Sequence, residues 1–186
     1  MKLYEKALPL YKKVLKIKKE FLGEKHPTTA TSYNNLALHY QTTEKHEESL
    51  PLFKIALEIS KELLGEKHPD TATSNNNLAL CYRSMGKYKK ALPFLEKALE
   101  VSKEFLGEKH PDTALSYSNQ ALLYKDLKEC LKAKEYMEKA IDIWQQYEYY
   151  DTNLIKAGKF IKDIEQNMKQ EQKFSFNKKG RFCKDI

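Results

Sequence analysis

The chain has 186 residues, 41% hydrophobic and 32% charged, with six glycines, six prolines and a formal charge of +7. So few helix breakers beside so many charges exclude a sheet-rich fold, and the apolar content excludes a purely disordered tail. Much of the positive surplus lies in residues 169–186, where Lys169, Lys173, Lys178, Lys179, Arg181 and Lys184 outnumber Glu171 and Asp185. The body therefore lacks the gathered Lys and Arg of a nucleic-acid-binding face, and no stretch reaches membrane-spanning length.

Residues 4–22 have the spacing of an amphipathic helix, and the string Leu-Gly-Glu-Lys-His-Pro that closes it at 22–27 returns at 64–69 and 106–111. Each copy lies 42 residues after the last, and Tyr40, Tyr82 and Tyr124 keep the same interval, as do Ala7, Ser49, Ala91 and Ala133. An internal repeat of this length predicts a stack of hairpins that share one core. In the middle copy, Ala72, Asn75, Leu78, Ala79 and Tyr82 advance by threes and fours along one face of a first helix, A. After Met85, Gly86 and Lys87, a second stripe of Ala91, Leu95, Ala98, Ser102 and Phe105, flanked by Leu92, Leu99 and Leu106, defines helix B. Helix B is apolar on more than one side, as expected of a helix lying between its own helix A and that of the next repeat.

The punctuation follows the same beat. Gly23, Gly65 and Gly107 stand where a residue ending helix B would take a left-handed conformation, and Pro27, Pro69 and Pro111 stand where a helix A would begin. Asp70 and Asp112 add negative charge at the positive helix end. Pro9, Pro51 and Pro93 fall inside helix B and are expected to bend it without ending it, whereas the third full copy has Glu135 at that place. After Trp144 the repeat is lost, but Leu154, Ile155, Ala157, Gly158, Ile161, Ile164 and Met168 can form one more amphipathic helix, a lid over the last hairpin. Beyond it, residues 169–186 are expected to form a mobile tail, whose Phe174, Phe176 and Phe182 among lysines also suit contact with an acidic surface.

Leu78-Ala79-x-x-Tyr82 followed by Ala91, Leu95 and Ala98 resembles the tetratricopeptide motif. The 42-residue period and the phrases Asn-Asn-Leu-Ala-Leu-x-Tyr, Gly-Lys-Tyr-x-x-Ala-Leu-Pro and Leu-Gly-Glu-Lys-His-Pro-Asp-Thr-Ala look like the repeats of kinesin light chains and their relatives, over residues 3–147. The resemblance implies an all-α solenoid, a right-handed superhelix of antiparallel helix pairs. It divides the chain into a solenoid at 1–147, a capping helix at 148–168 and the tail at 169–186. The heptad coiled coil of kinesin light chains is missing from this sequence, and residues 4–22 read as a helix B with no helix A before it. The resemblance is therefore expected to be one of fold.

In such arrays the A helices line a concave groove. The resemblance implies that Asn34, Asn35, Leu38 and Gln41 face it in the first copy, Asn76, Asn77, Leu80 and Arg83 in the second, and Ser118, Asn119, Leu122 and Lys125 in the third. An amide both donates and accepts, so asparagines suit the peptide units of an extended ligand, the leucines give an apolar floor, and Arg83 and Lys125 favour acidic side chains. The other reading is that one Asn of each pair bridges helices and serves only the fold.

His26, His68 and His110 lie in separate repeats without a second His on the same helix, so a turn-packing role is expected, with no metal and no cofactor. Cys81, Cys130 and Cys183 lack paired spacing and read as reduced thiols, the first two as small core residues. There is no phosphate loop, nucleophile elbow or isolated carboxylate pair, so no catalysis is expected. A cytoplasmic protein that holds a protein or peptide is the first expectation. A structural subunit of a larger cytoskeletal or ciliary assembly is the second.

Overall fold

The computed structural model describes the backbone of residues 2–182 and the side chains of residues 6–170. Among them are eight helices and no strand: α1 (Lys2–Leu22), α2 (Pro27–Thr42), α3 (His46–Leu64), α4 (Pro69–Ser84), α5 (Tyr88–Leu106), α6 (Pro111–Asp126), α7 (Cys130–Trp144) and α8 (Asp151–Phe182). Helices α2, α4 and α6 are the expected A helices, and α1, α3, α5 and α7 the B helices. The chain forms two units, residues 1–108 and 109–186.

In the first unit, α2 pairs with α3 and α4 with α5, while α1 packs on α2, α3 on α4, and α2 lies beside α4. The stripe expected on helix A is buried throughout: Ala72, Asn75, Leu78, Ala79 and Tyr82 all face inward. Ala37 and Ala79 are closed to solvent, which lets the helices approach closely. Between α2 and α3 the core is Ala30 and Tyr33 against Ala56 and Ile59, with Leu15, Leu52 and Ile55 around them. In the second unit α6 pairs with α7, and α8 covers α7. The lid is tied down by Lys134 Nζ to Glu165 Oε1 at 2.6 Å, a contact that raises the lysine pKa and lowers that of the carboxyl.

Several expectations need correction. Ala91, Leu95, Ala98 and Leu99 are buried, but Ser102 and Leu92 are only half-buried, and Phe105 and Leu106 are exposed. Helix α5 has 19 residues against 16 for α4, so its last turn overruns the partner that would cover it. On α8, Ile155 is likewise exposed, and Phe160, absent from the expected stripe, is buried with Ala157 and Ile164. Residues 169–182, placed in the tail from the sequence, continue α8 to Phe182. Their Lys, Gln and Glu content favours helix without an apolar stripe. The side chains of Phe174, Phe176 and Phe182, and all of Cys183, lie outside the described residues. Pro9, Pro51 and Pro93 sit within α1, α3 and α5, which run on past them.

The left-handed turn is also elsewhere than the spacing suggested. Gly65 and Gly107 have φ of 87° and 89° but ψ of 167° and 159°, an extended mirror-image region open only to glycine. The carbonyls of Gly23 and Gly65 accept from the hydroxyls of Thr29 and Thr71, both buried at the start of the next helix A. The left-handed cap closes helix A instead, at Glu44, Gly86 and Lys128, with φ of 60°, 70° and 65°. After each, the N–H of Lys45, Lys87 or Glu129 bonds back to Tyr40, Tyr82 or Tyr124 at 2.8–2.9 Å, as in a Schellman motif. Only the middle copy carries glycine there. Glu44→Gly and Lys128→Gly should each stabilise their hairpin by about 1 kcal/mol, because an L-residue is penalised by about 1–2 kcal/mol in this region and glycine is not. A higher urea midpoint with an unchanged slope would verify it, and a lower midpoint would refute it.

Candidate functional site

The A helices owe their starting points to a device the sequence did not advertise. His26, His68 and His110 take extended backbone angles ahead of the prolines, and each Nδ1 accepts from the N–H two residues on, at 3.1–3.2 Å. Histidine thus stands where Ser, Asp or Asn usually caps a helix, a contact worth about 1 kcal/mol. The only signal was position, one residue before a helix-opening proline. Among the described residues, no group of three or more His, Cys, Asp or Glu is arranged to hold a metal.

With the N-termini fixed, Asn34, Leu38 and Gln41 fall at i, i+4 and i+7 on α2, and Asn76, Leu80 and Arg83 do the same on α4. They lie on the flank of the buried stripe. Asn35 and Leu38 are exposed, whereas Asn34, Gln41, Asn76, Asn77, Leu80 and Arg83 are half-buried. The side-chain oxygens of Asn34 and Gln41 are closed to solvent and without a hydrogen-bond partner. In the first pair, then, Asn34 leans into the fold and Asn35 out of it. Two adjacent A helices of the first unit carry this face side by side.

The second unit is different. Ser118, Asn119, Leu122 and Lys125 are half-buried on α6. The Ser118 hydroxyl donates to Leu115 O at 3.0 Å within its own helix. Lys125 Nζ lies 3.6 Å from Asp163 Oδ2 and 5.0 Å from the centre of the Phe160 ring, both on α8. The lid therefore already neutralises the cation that was expected to meet a ligand.

The Tetratricopeptide repeat family model matches residues 1–54, 28–104 and 72–146, most of the chain. The chain belongs to the tetratricopeptide-repeat family. Its similarity to solved structures includes BtubC (BKLC) from P. vanneervenii, at 25% identity and a TM-score of 0.80 over 91% of this chain and 68% of that one. It also includes a kinesin-light-chain protein of Podosopora anserina with nearly identical TPR-like repeats, at 23% identity and a TM-score of 0.76 over 91% and 81% of the two chains. No curated protein matches it. The repeats of this tetratricopeptide protein thus share their fold with kinesin-light-chain-like repeats.

Of its thiols, Cys81 is buried at 3.2 Å from Ser49 Oγ, and burial raises its pKa, so it is a core residue. Cys130 is half-buried, contrary to the expectation of a core position, because it opens α7 at the end of the hairpin. Both are free cysteines. No helix among the described residues is long and apolar enough to cross a membrane.

Proposed function

We propose that this protein is a non-enzymatic adaptor whose first unit holds an extended segment of a protein partner along α2 and α4. Tetratricopeptide solenoids are protein-interaction scaffolds. One observation carries the finer reading: two neighbouring A helices repeat the same amide, leucine and long polar side chain along the flank of the buried stripe, with Asn35 and Leu38 open to solvent. Asn35 and Asn77 would pair with peptide units, Leu38 and Leu80 would receive an apolar side chain, and Arg83 would favour an acidic one. Asn34 belongs more to the fold than to the ligand, and Lys125 is directed to the lid. The groove is therefore proposed for the first two repeats. Free thiols at Cys81 and Cys130 suit a reducing, cytoplasmic setting.

Crosslinking mass spectrometry on the native protein in extract would supply the partner and the face it uses. With a peptide of that partner as probe, Asn76, Asn77 and Arg83 changed together to alanine should weaken binding at least tenfold, with the circular-dichroism helix signal unchanged. If the partner binds the triple variant as well as the parent, the groove is wrong and a structural subunit held by its other surfaces is favoured.

A further inference from the structure

The lid carries a row of lysines that the fold deprives of counter-charge. Lys156, Lys159 and Lys162 follow at i, i+3 and i+6 along α8 and are all exposed, while Ala157, Phe160 and Ile164 of the same helix are buried. Two carboxylates stand in pairing register with this row: Asp163 is four residues after Lys159, and Glu165 is three residues after Lys162. Both are turned the other way. Asp163 lies 3.6 Å from Lys125 of α6, and Glu165 lies 2.6 Å from Lys134 of α7. The carboxylates that tie the lid down are thereby withdrawn from its outer side, and none of the three lysines has an ion pair with a described residue. Like charges at this spacing on one helix repel each other, so an acidic neighbour would relieve the row.

The kind of neighbour is indicated by Ile155, which stands among these lysines and is 74% exposed. A phosphate backbone meets cations but gives an aliphatic side chain no partner. An anionic membrane takes up a helix through a broad apolar face, and α8 uses its apolar face on α7. The described chain does not turn back over the row either. Beyond Lys162, α8 runs on to Phe182, about 30 Å further along its axis, through a sequence that is itself net basic. A second copy of a chain with a formal charge of +7 is a poor occupant. We infer that this side of α8 docks an acidic segment of another protein, with an aliphatic side chain set among its carboxylates. The carboxylates meet Lys156, Lys159 and Lys162, and the aliphatic group covers Ile155.

A fluorescently labelled peptide repeating Glu-Glu-Leu-Glu is the probe. It should bind the full chain, and more weakly as salt is raised. Lys156→Gln, Lys159→Gln and Lys162→Gln together should weaken binding at least tenfold without lowering the melting temperature of the free chain, since all three sites are exposed. Ile155→Ser alone should weaken it about threefold, the loss of one apolar contact. Lys178→Gln with Lys179→Gln, farther along the sequence, should leave binding within about twofold of the parent, and so should the groove variant with alanine at Asn76, Asn77 and Arg83. These two controls separate the row from the remaining basic sequence and from the groove. Absence of binding, or a loss through Lys178 and Lys179 as large as through the row, would overturn the inference. So would anionic vesicles or single-stranded DNA captured through the same three lysines in place of the peptide, or self-association of the chain that the triple change abolishes.

Discussion

Phe53→Ala is expected to lower stability by about 3–5 kcal/mol, while Phe105→Ala should change it by less than about 0.5 kcal/mol. Both aromatics are on B helices and both fit an apolar spacing. Phe53 sits in the second turn of α3, fully enclosed, and truncation would open a cavity that the packed helices around it cannot close. Phe105 sits in the last turn of α5, 55% exposed, with little contact to lose. Urea unfolding of the two variants, followed by circular dichroism, measures the contrast. Similar losses for both would mean that the end of α5 is covered in solution and that the hairpin is longer than described.

Gln120→Leu should have the opposite sign, a gain of about 1–3 kcal/mol. The position belongs to the helix A core, where the other copies have Leu36 and Leu78, all three buried. Gln120 is 1% exposed, and its Oε1 has no hydrogen-bond partner. An acceptor removed from water without compensation is penalised by about 1–3 kcal/mol. Leucine has a similar volume and removes that penalty, so the melting temperature should rise. A fall would mean that the amide is satisfied through water held in the core and serves the hairpin. Asn75 is likewise buried with both amide atoms unpartnered, where the flanking copies have Tyr33 and Tyr117.

Most of the hairpin interior was legible because burial along a helix is periodic and the period was repeated. Ala72, Leu78, Ala79 and Tyr82, or Ala91, Leu95 and Ala98, could be assigned to the inside from spacing alone, and the position of each Pro fixed where helix A begins. The candidate groove was legible only by its family resemblance. Nothing in the spacing of Asn34 and Asn35 says that the first leans inward and the second outward, since both are polar and adjacent.

The sequence by itself determined the repeat, the pairing of helices A and B, and which stripe of each is apolar, because these follow from the 3.6-residue turn and the recurrence of the same residues. The tertiary structure alone decided how far along each helix a neighbour reaches. That is why Phe105 and Ile155 are uncovered and why Lys125 is held by the lid at Asp163. It also decided which residue must be left-handed, placing Glu44 and Lys128 where only the middle repeat has glycine. Direction around a helix is encoded locally, whereas coverage along it depends on residues far apart in the chain.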